Sequence, residues 1–100
     1  MLIAPASAEQ RARARLAELY TEFKRLAVDQ EKAAAEELKL RSILEDLDDR
    51  RWRGDTSASR DKVLKARDVW RESELRLKRI RQAIAANYQQ RAAILRRLAG

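Results

Sequence analysis

The sequence predicts an all-α protein, an antiparallel hairpin of two long helices that turns at Gly54. Three observations carry that expectation. The chain has only two Gly and one Pro in 100 residues, with 39% of residues charged and 5% aromatic, a composition of helix formers. Gly54 is the one breaker between Ser7 and Ala99. Apolar residues on either side of it recur with heptad spacing.

The first helix is expected over about residues 8–52. Ser7-Ala8-Glu9-Gln10 fits a capping box, with Ser at the N-cap and Gln three residues on. Pro5 precedes it, where the helix has not begun. The turn is expected over about 53–56, with Gly54 supplying the left-handed conformation that often ends a helix. Asp55, Thr56 and Ser57 are candidate N-caps for a second helix over about 57–98. At 1.5 Å per residue each helix would be roughly 65 Å long. The whole of 1–100 reads as one helical-hairpin domain.

With Leu16 at position a, the first seam runs through Leu16, Leu19, Phe23, Leu26, Gln30, Ala33, Glu37, Leu40, Leu44, Leu47 and Arg51. With Val63 at a, the second runs through Val63, Ala66, Trp70, Ser73, Leu77, Ile80, Ile84, Asn87, Arg91, Ile94 and Leu98. An antiparallel pairing centred on residue 55 sets a positions against d positions throughout. It faces Leu47 with Val63, Leu40 with Trp70, Ala33 with Leu77 and Leu16 with Ile94. The Glu37–Ser73 layer is polar and is expected to be a weak point. On the flanks, Glu36 falls near Arg76 and Asp48 near Arg60. Arg41 and Arg67 fall together, which is unfavourable without an acid between them.

Two helices bury one stripe each, a thin core for 100 residues. Apolar residues remain off the seam: Tyr20, Ala27, Ala34, Tyr88 and Leu95 on one side, Ile43 and Val69 on the other. These are the candidate partner interface, through which a homodimer or a heterodimer with a related hairpin would form a four-helix bundle.

Chemistry is sparse. There is no Cys and no His, which removes disulfides, thiolate or imidazole metal sites and the commonest general base. Glu36-Glu37 and Asp48-Asp49 are neighbours on a helix and point about 100° apart, so neither pair converges on a substrate. No phosphate loop or nucleophile elbow occurs. The chain therefore reads as a non-enzyme without a cofactor. No stretch approaches the roughly 20 apolar residues of a membrane span. The run Met1–Ala8 lacks a positive n-region, so a Sec signal is not expected.

Charge is uneven. The net value is +7; residues 1–50 hold 9 Lys/Arg and 11 Asp/Glu, whereas residues 51–100 hold 14 and 5. Arg71, Arg76, Lys78, Arg79 and Arg81 form a basic cluster on the second helix. Such a cluster suits an acidic protein partner, or phosphates bound without sequence preference. A long basic hairpin also resembles the RNA-contacting arm of seryl-tRNA synthetases, and the two-helix stalks of flagellar and type III export apparatus.

At the turn the chain reads Trp52-Arg53-Gly54. A Trp-x-Gly turn between two long helices in a chain of about this length resembles the WXG family, the small early-secreted-antigen-like proteins of type VII secretion. Trp70, early in the second helix, and the stretch Ile80-Arg81-Gln82-Ala83 leading to Tyr88 are similar to family features. The resemblance covers roughly residues 10–95. It implies a hairpin that pairs into a four-helix bundle, with Trp52 and Gly54 setting the tip, cytoplasmic before export by a non-Sec route. The family's export signal, Tyr-x-x-x-Asp/Glu, has no counterpart, because Ala92 stands at that spacing from Tyr88. Export would then depend on a partner that carries the signal. Trp52 has a second reading, in which the indole packs over the turn and closes the end of the core.

Overall fold

A computed structural model describes residues 6–100. Pro5, and most of the Met1–Ala8 run, lie outside them. Among the described residues there are two helices and no strand: α1 spans Ala8–Trp52 and α2 spans Arg60–Ala99. They pack side by side as an antiparallel hairpin.

The start of α1 follows from its capping box. Ser7 Oγ accepts from the Gln10 N–H at 3.1 Å, and Gln10 Oε1 accepts from the Ser7 N–H at 2.8 Å. Two N–H groups without an intrahelical partner are thereby satisfied. The end of α1 follows from Gly54, whose φ is +84°. That conformation turns the Gly54 N–H to the Arg51 carbonyl at 3.0 Å and the Asp55 N–H to the Arg50 carbonyl at 2.9 Å. The pair of bonds is a Schellman motif, with Gly at C′.

The turn is longer than the sequence suggests, and α2 begins at Arg60 rather than near residue 57. Ser59 is its N-cap, accepting from the Lys62 N–H at 3.3 Å. Asp55, Thr56 and Ser57 do not cap the helix, because Asp55 is engaged locally. Its Oδ1 accepts from the Ser57 N–H at 2.9 Å and the Ser57 hydroxyl at 2.7 Å, and its Oδ2 accepts from Arg50 Nε at 3.1 Å. The Ser57 hydroxyl also accepts from Arg50 Nη2 at 2.7 Å. These bonds, the Ser57 hydroxyl first, hold the Asp55 carboxyl down at about 2. The added length buries Ala58 at the tip, 2% exposed. Trp52 does not close the core there; its side chain stands 90% exposed.

Burial follows the expected seam. On α1, Leu19, Leu26 and Ala33 are buried, and the other seam positions from Leu16 to Leu47 are half-buried. Arg51 alone is exposed. On α2, Val63, Ser73, Leu77, Asn87 and Ile94 are buried and the remaining six are half-buried. The antiparallel sense is fixed by cross-hairpin bonds: Arg15 Nη2 to Gln90 Oε1 at 3.2 Å, Asn87 Nδ2 to the Leu19 carbonyl at 2.9 Å, and Trp70 Nε1 to Glu37 Oε1 at 3.1 Å.

The Glu37–Ser73 layer is polar but saturated. Glu37 Oε1 takes both the Trp70 indole and Arg41 Nε, the latter at 3.5 Å, while the Ser73 hydroxyl donates to the Trp70 carbonyl at 2.6 Å. Arg41 is thus turned to Glu37, an acid of its own helix, and lines a different groove from Arg67. Among the described residues no buried side-chain polar atom lacks a partner. Burial without a partner is the expensive case, so this layer avoids that penalty.

The hairpin is long and thin. Its dimensions are 79 × 30 × 15 Å and its radius of gyration is 22.3 Å, against about 13 Å for a compact chain of this length. It exposes 8055 Å², where a folded monomer of this mass exposes about 5,800 Å².

Candidate partner-binding surface

The two flanks of the seam differ in chemistry. One flank carries Tyr20, Ala27 and Ala34 from α1 and Tyr88 and Leu95 from α2. Tyr20, Tyr88 and Leu95 are 41%, 59% and 45% exposed, and the two alanines are half-buried. Heptad spacing puts the α1 residues seven apart on one line. The structure brings Tyr20 and Tyr88 together across the hairpin through Arg91. Its guanidinium carbon lies 5.0 Å from the Tyr20 ring centre, 5.8 Å from Tyr88 and 4.6 Å from Phe23.

The other flank is charged. Asp29, Lys32 and Glu36 share a shallow groove with Arg76. Ile43 and Val69 lie one heptad further toward the tip on this side, both exposed. They are isolated from the aromatic flank and do not extend it.

Glu36 with Arg76 and Asp48 with Arg60 are the flank pairs expected from the register. Each pair lines one groove, yet neither closes to ion-pair distance. The six ion pairs among the described residues all join residues of α1 or the turn. Exposed pairs of this kind contribute only about 0–1 kcal/mol, so long flanking side chains gain little by closing. The hairpin is joined instead by apolar burial, by the hydrogen bonds of Arg15, Glu37 and Asn87 across it, and by the Arg91–aromatic contact.

The basic cluster is not one stripe. Arg71, Arg76, Lys78, Arg79 and Arg81 are all exposed. Lys78 and Arg81 line a groove with Arg41 and Glu74 on the aromatic side, while Arg76 lines the groove on the opposite flank. None of the five is in an ion pair among the described residues. Their positive potential surrounds α2 rather than facing one way.

Trp52 and Gly54 occupy the tip as expected, the indole projecting into solvent. Arg91, Asn87 and Phe23 were not singled out by sequence reasoning, although the signal was present. Asn87 and Arg91 are two successive polar seam positions between Ile84 and Ile94, one turn apart and beside Tyr88. Arg91 Nε donates to Asn87 Oδ1 at 2.8 Å.

Among the described residues no three His, Cys, Asp or Glu side chains converge as they would to hold a metal ion. No described helix is long and apolar enough to cross a membrane. No family model, no curated protein and no solved structure matches the chain.

Proposed function

We infer that this chain is a non-enzymatic hairpin that works by pairing with a second helical hairpin, as a WXG-type substrate or partner of a type VII secretion system. The observation that carries the pairing is the uncovered flank of Tyr20, Ala27, Ala34, Tyr88 and Leu95 on a hairpin whose own core is a single seam. A second hairpin laid there would turn a two-helix seam into a bundle core. Secretion is supported by the Trp52-Arg53-Gly54 turn, whose indole is free to meet another protein. Sedimentation velocity of the chain alone, and co-expressed with small helical proteins encoded beside it, tests the reading. The expected result is a dimer, or a stable complex with one such protein. A lone monomer at micromolar concentration that recruits none of them contradicts it.

A second reading, nucleic-acid binding, draws on one observation: residues 75–100 carry seven Lys/Arg and no Asp/Glu. It requires affinity for arbitrary DNA or RNA that falls steeply with salt. The split of the basic cluster over both flanks favours the protein partner.

A further inference from the structure

The positive charge and the uncovered apolar flank meet at Arg91. Its guanidinium sits among Phe23, Tyr20 and Tyr88, and Asn87 fixes its plane through Nε. No described residue accepts from either Nη, and no described carboxylate lies within ion-pair reach. An oriented fork whose two outer nitrogens have no acceptor among the described residues matches the two oxygens of a carboxylate. The surround of Tyr20, Tyr88 and Leu95 is apolar and exposed. Arg and Tyr ringed by apolar contacts are the residue types that anchor protein interfaces.

Charge selects the occupant. A second copy laid parallel would set Arg91 against Arg91 in a region without an α2 acid beyond Glu74. A second copy laid antiparallel would offer Asp48 and Glu74, but with Arg41 and Arg67 on the same flank. Nucleic acid fits less well, because the three rings are turned on Arg91 and Leu95, Ala27 and Ala34 offer nothing to a phosphate.

We propose that this patch binds an acidic amphipathic helix of a partner protein, with one Asp or Glu carboxylate on the Arg91 fork and flanking apolar residues on Tyr20, Tyr88 and Leu95. The proposal rests on the pairing reading above and adds the chemistry of the partner.

A displayed library of single helices, randomised along one face, is selected against the full chain. The selected helices are then measured against Arg91→Gln and Tyr88→Ala, both checked for folding by circular dichroism. The expected helices share one Asp or Glu flanked by apolar residues three or four positions away. Neutralising that acid, or introducing Arg91→Gln, weakens binding about thirtyfold, and both changes together weaken it no further. Tyr88→Ala, at an exposed ring, also weakens binding and serves should Arg91→Gln not fold. Helices without acid preference, no enrichment, or undiminished binding by both variants would overturn the proposal. So would self-association that occupies the patch, or RNA binding lost with Arg91→Gln. A chain that pairs with a hairpin but selects no acid loses this inference alone; an acid-selective patch on a chain that pairs with no hairpin loses the pairing reading alone.

Discussion

The side-chain amide of Asn87 donates to the backbone carbonyl of Leu19 across the hairpin at 2.9 Å. Both side chains are essentially inaccessible, and they are the largest ones so fully enclosed. In the pairing centred on residue 55, Leu19 faces Arg91 and Asn87 faces Phe23, so these two enclosed side chains, one apolar and one polar, sit in adjoining layers of the seam. The same Asn87 accepts from Arg91, so the layer that holds the helices together also orients the candidate partner-binding residue.

Asn87→Ala should destabilise the hairpin by about 1–3 kcal/mol, because Arg91 Nε loses its partner at a part-buried site. Leu19→Ala should destabilise it by about 3 kcal/mol through a cavity in the adjoining layer. Urea unfolding followed by circular dichroism measures both. A change under about 0.5 kcal/mol for Leu19→Ala would show that this layer is not packed as described.

Gly54→Ala should destabilise the chain by about 1 kcal/mol. The source is conformational alone: φ is +84° and an added Cβ would meet no atom within 4 Å. Gly54→Asn should be milder, since Asn tolerates the left-handed region. Equal stability of all three in urea would remove the helix-ending role.

The two tryptophans should report separately. Trp52→Phe should leave stability within about 0.5 kcal/mol, as surface changes do. Trp70→Phe removes the indole bond to Glu37 and should destabilise by about 1 kcal/mol. The emission that remains in Trp70→Phe should be that of a water-exposed indole. A blue-shifted emission there would place Trp52 under cover.

The turn should weaken in acid. The Asp55 carboxyl titrates at about 2 in the folded chain, below its ordinary value near about 3.9. A depressed carboxyl contributes stability that is complete above the unfolded pKa and is lost as pH falls through the folded one. The contribution of Asp55 is therefore present above about pH 4 and gone below about pH 2. Amide exchange at residues 53–59, compared between wild type and Asp55→Asn, should differ at pH 5 and converge near pH 2. A difference that persists at low pH contradicts the assignment.

Much of the fold was legible because it is periodic. The seam from Leu16 to Leu47 and from Val63 to Leu98 is buried or half-buried as heptad spacing requires, and Ser7 with Gln10 caps as the local sequence indicates. The turn was less legible. Three good N-cap residues at 55–57 compete with Ser59, and what decides between them is the network of Arg50, Asp55 and Ser57, which sequence does not weigh. Arg91 was hidden for a related reason. A seam cation reads as a flaw in an apolar stripe until Phe23, Tyr20 and Tyr88 are seen to close around it. Tyr20 and Tyr88 were legible as flank residues, but their meeting depends on the register of two helices far apart in the chain.

The patch at Tyr20, Tyr88 and Arg91 exists only if the helices fold back on one another. The chain has no cysteine, so Ala12→Cys and Arg97→Cys, which line one groove at the open end, can each carry a spin label. Labelled protein diluted into unlabelled protein isolates the distance within one molecule, read by electron–electron double resonance. A folded-back hairpin gives a separation of about 20 Å, a helix–helix spacing plus two label arms. A separation of roughly 130 Å, as in one unbroken rod, would contradict it.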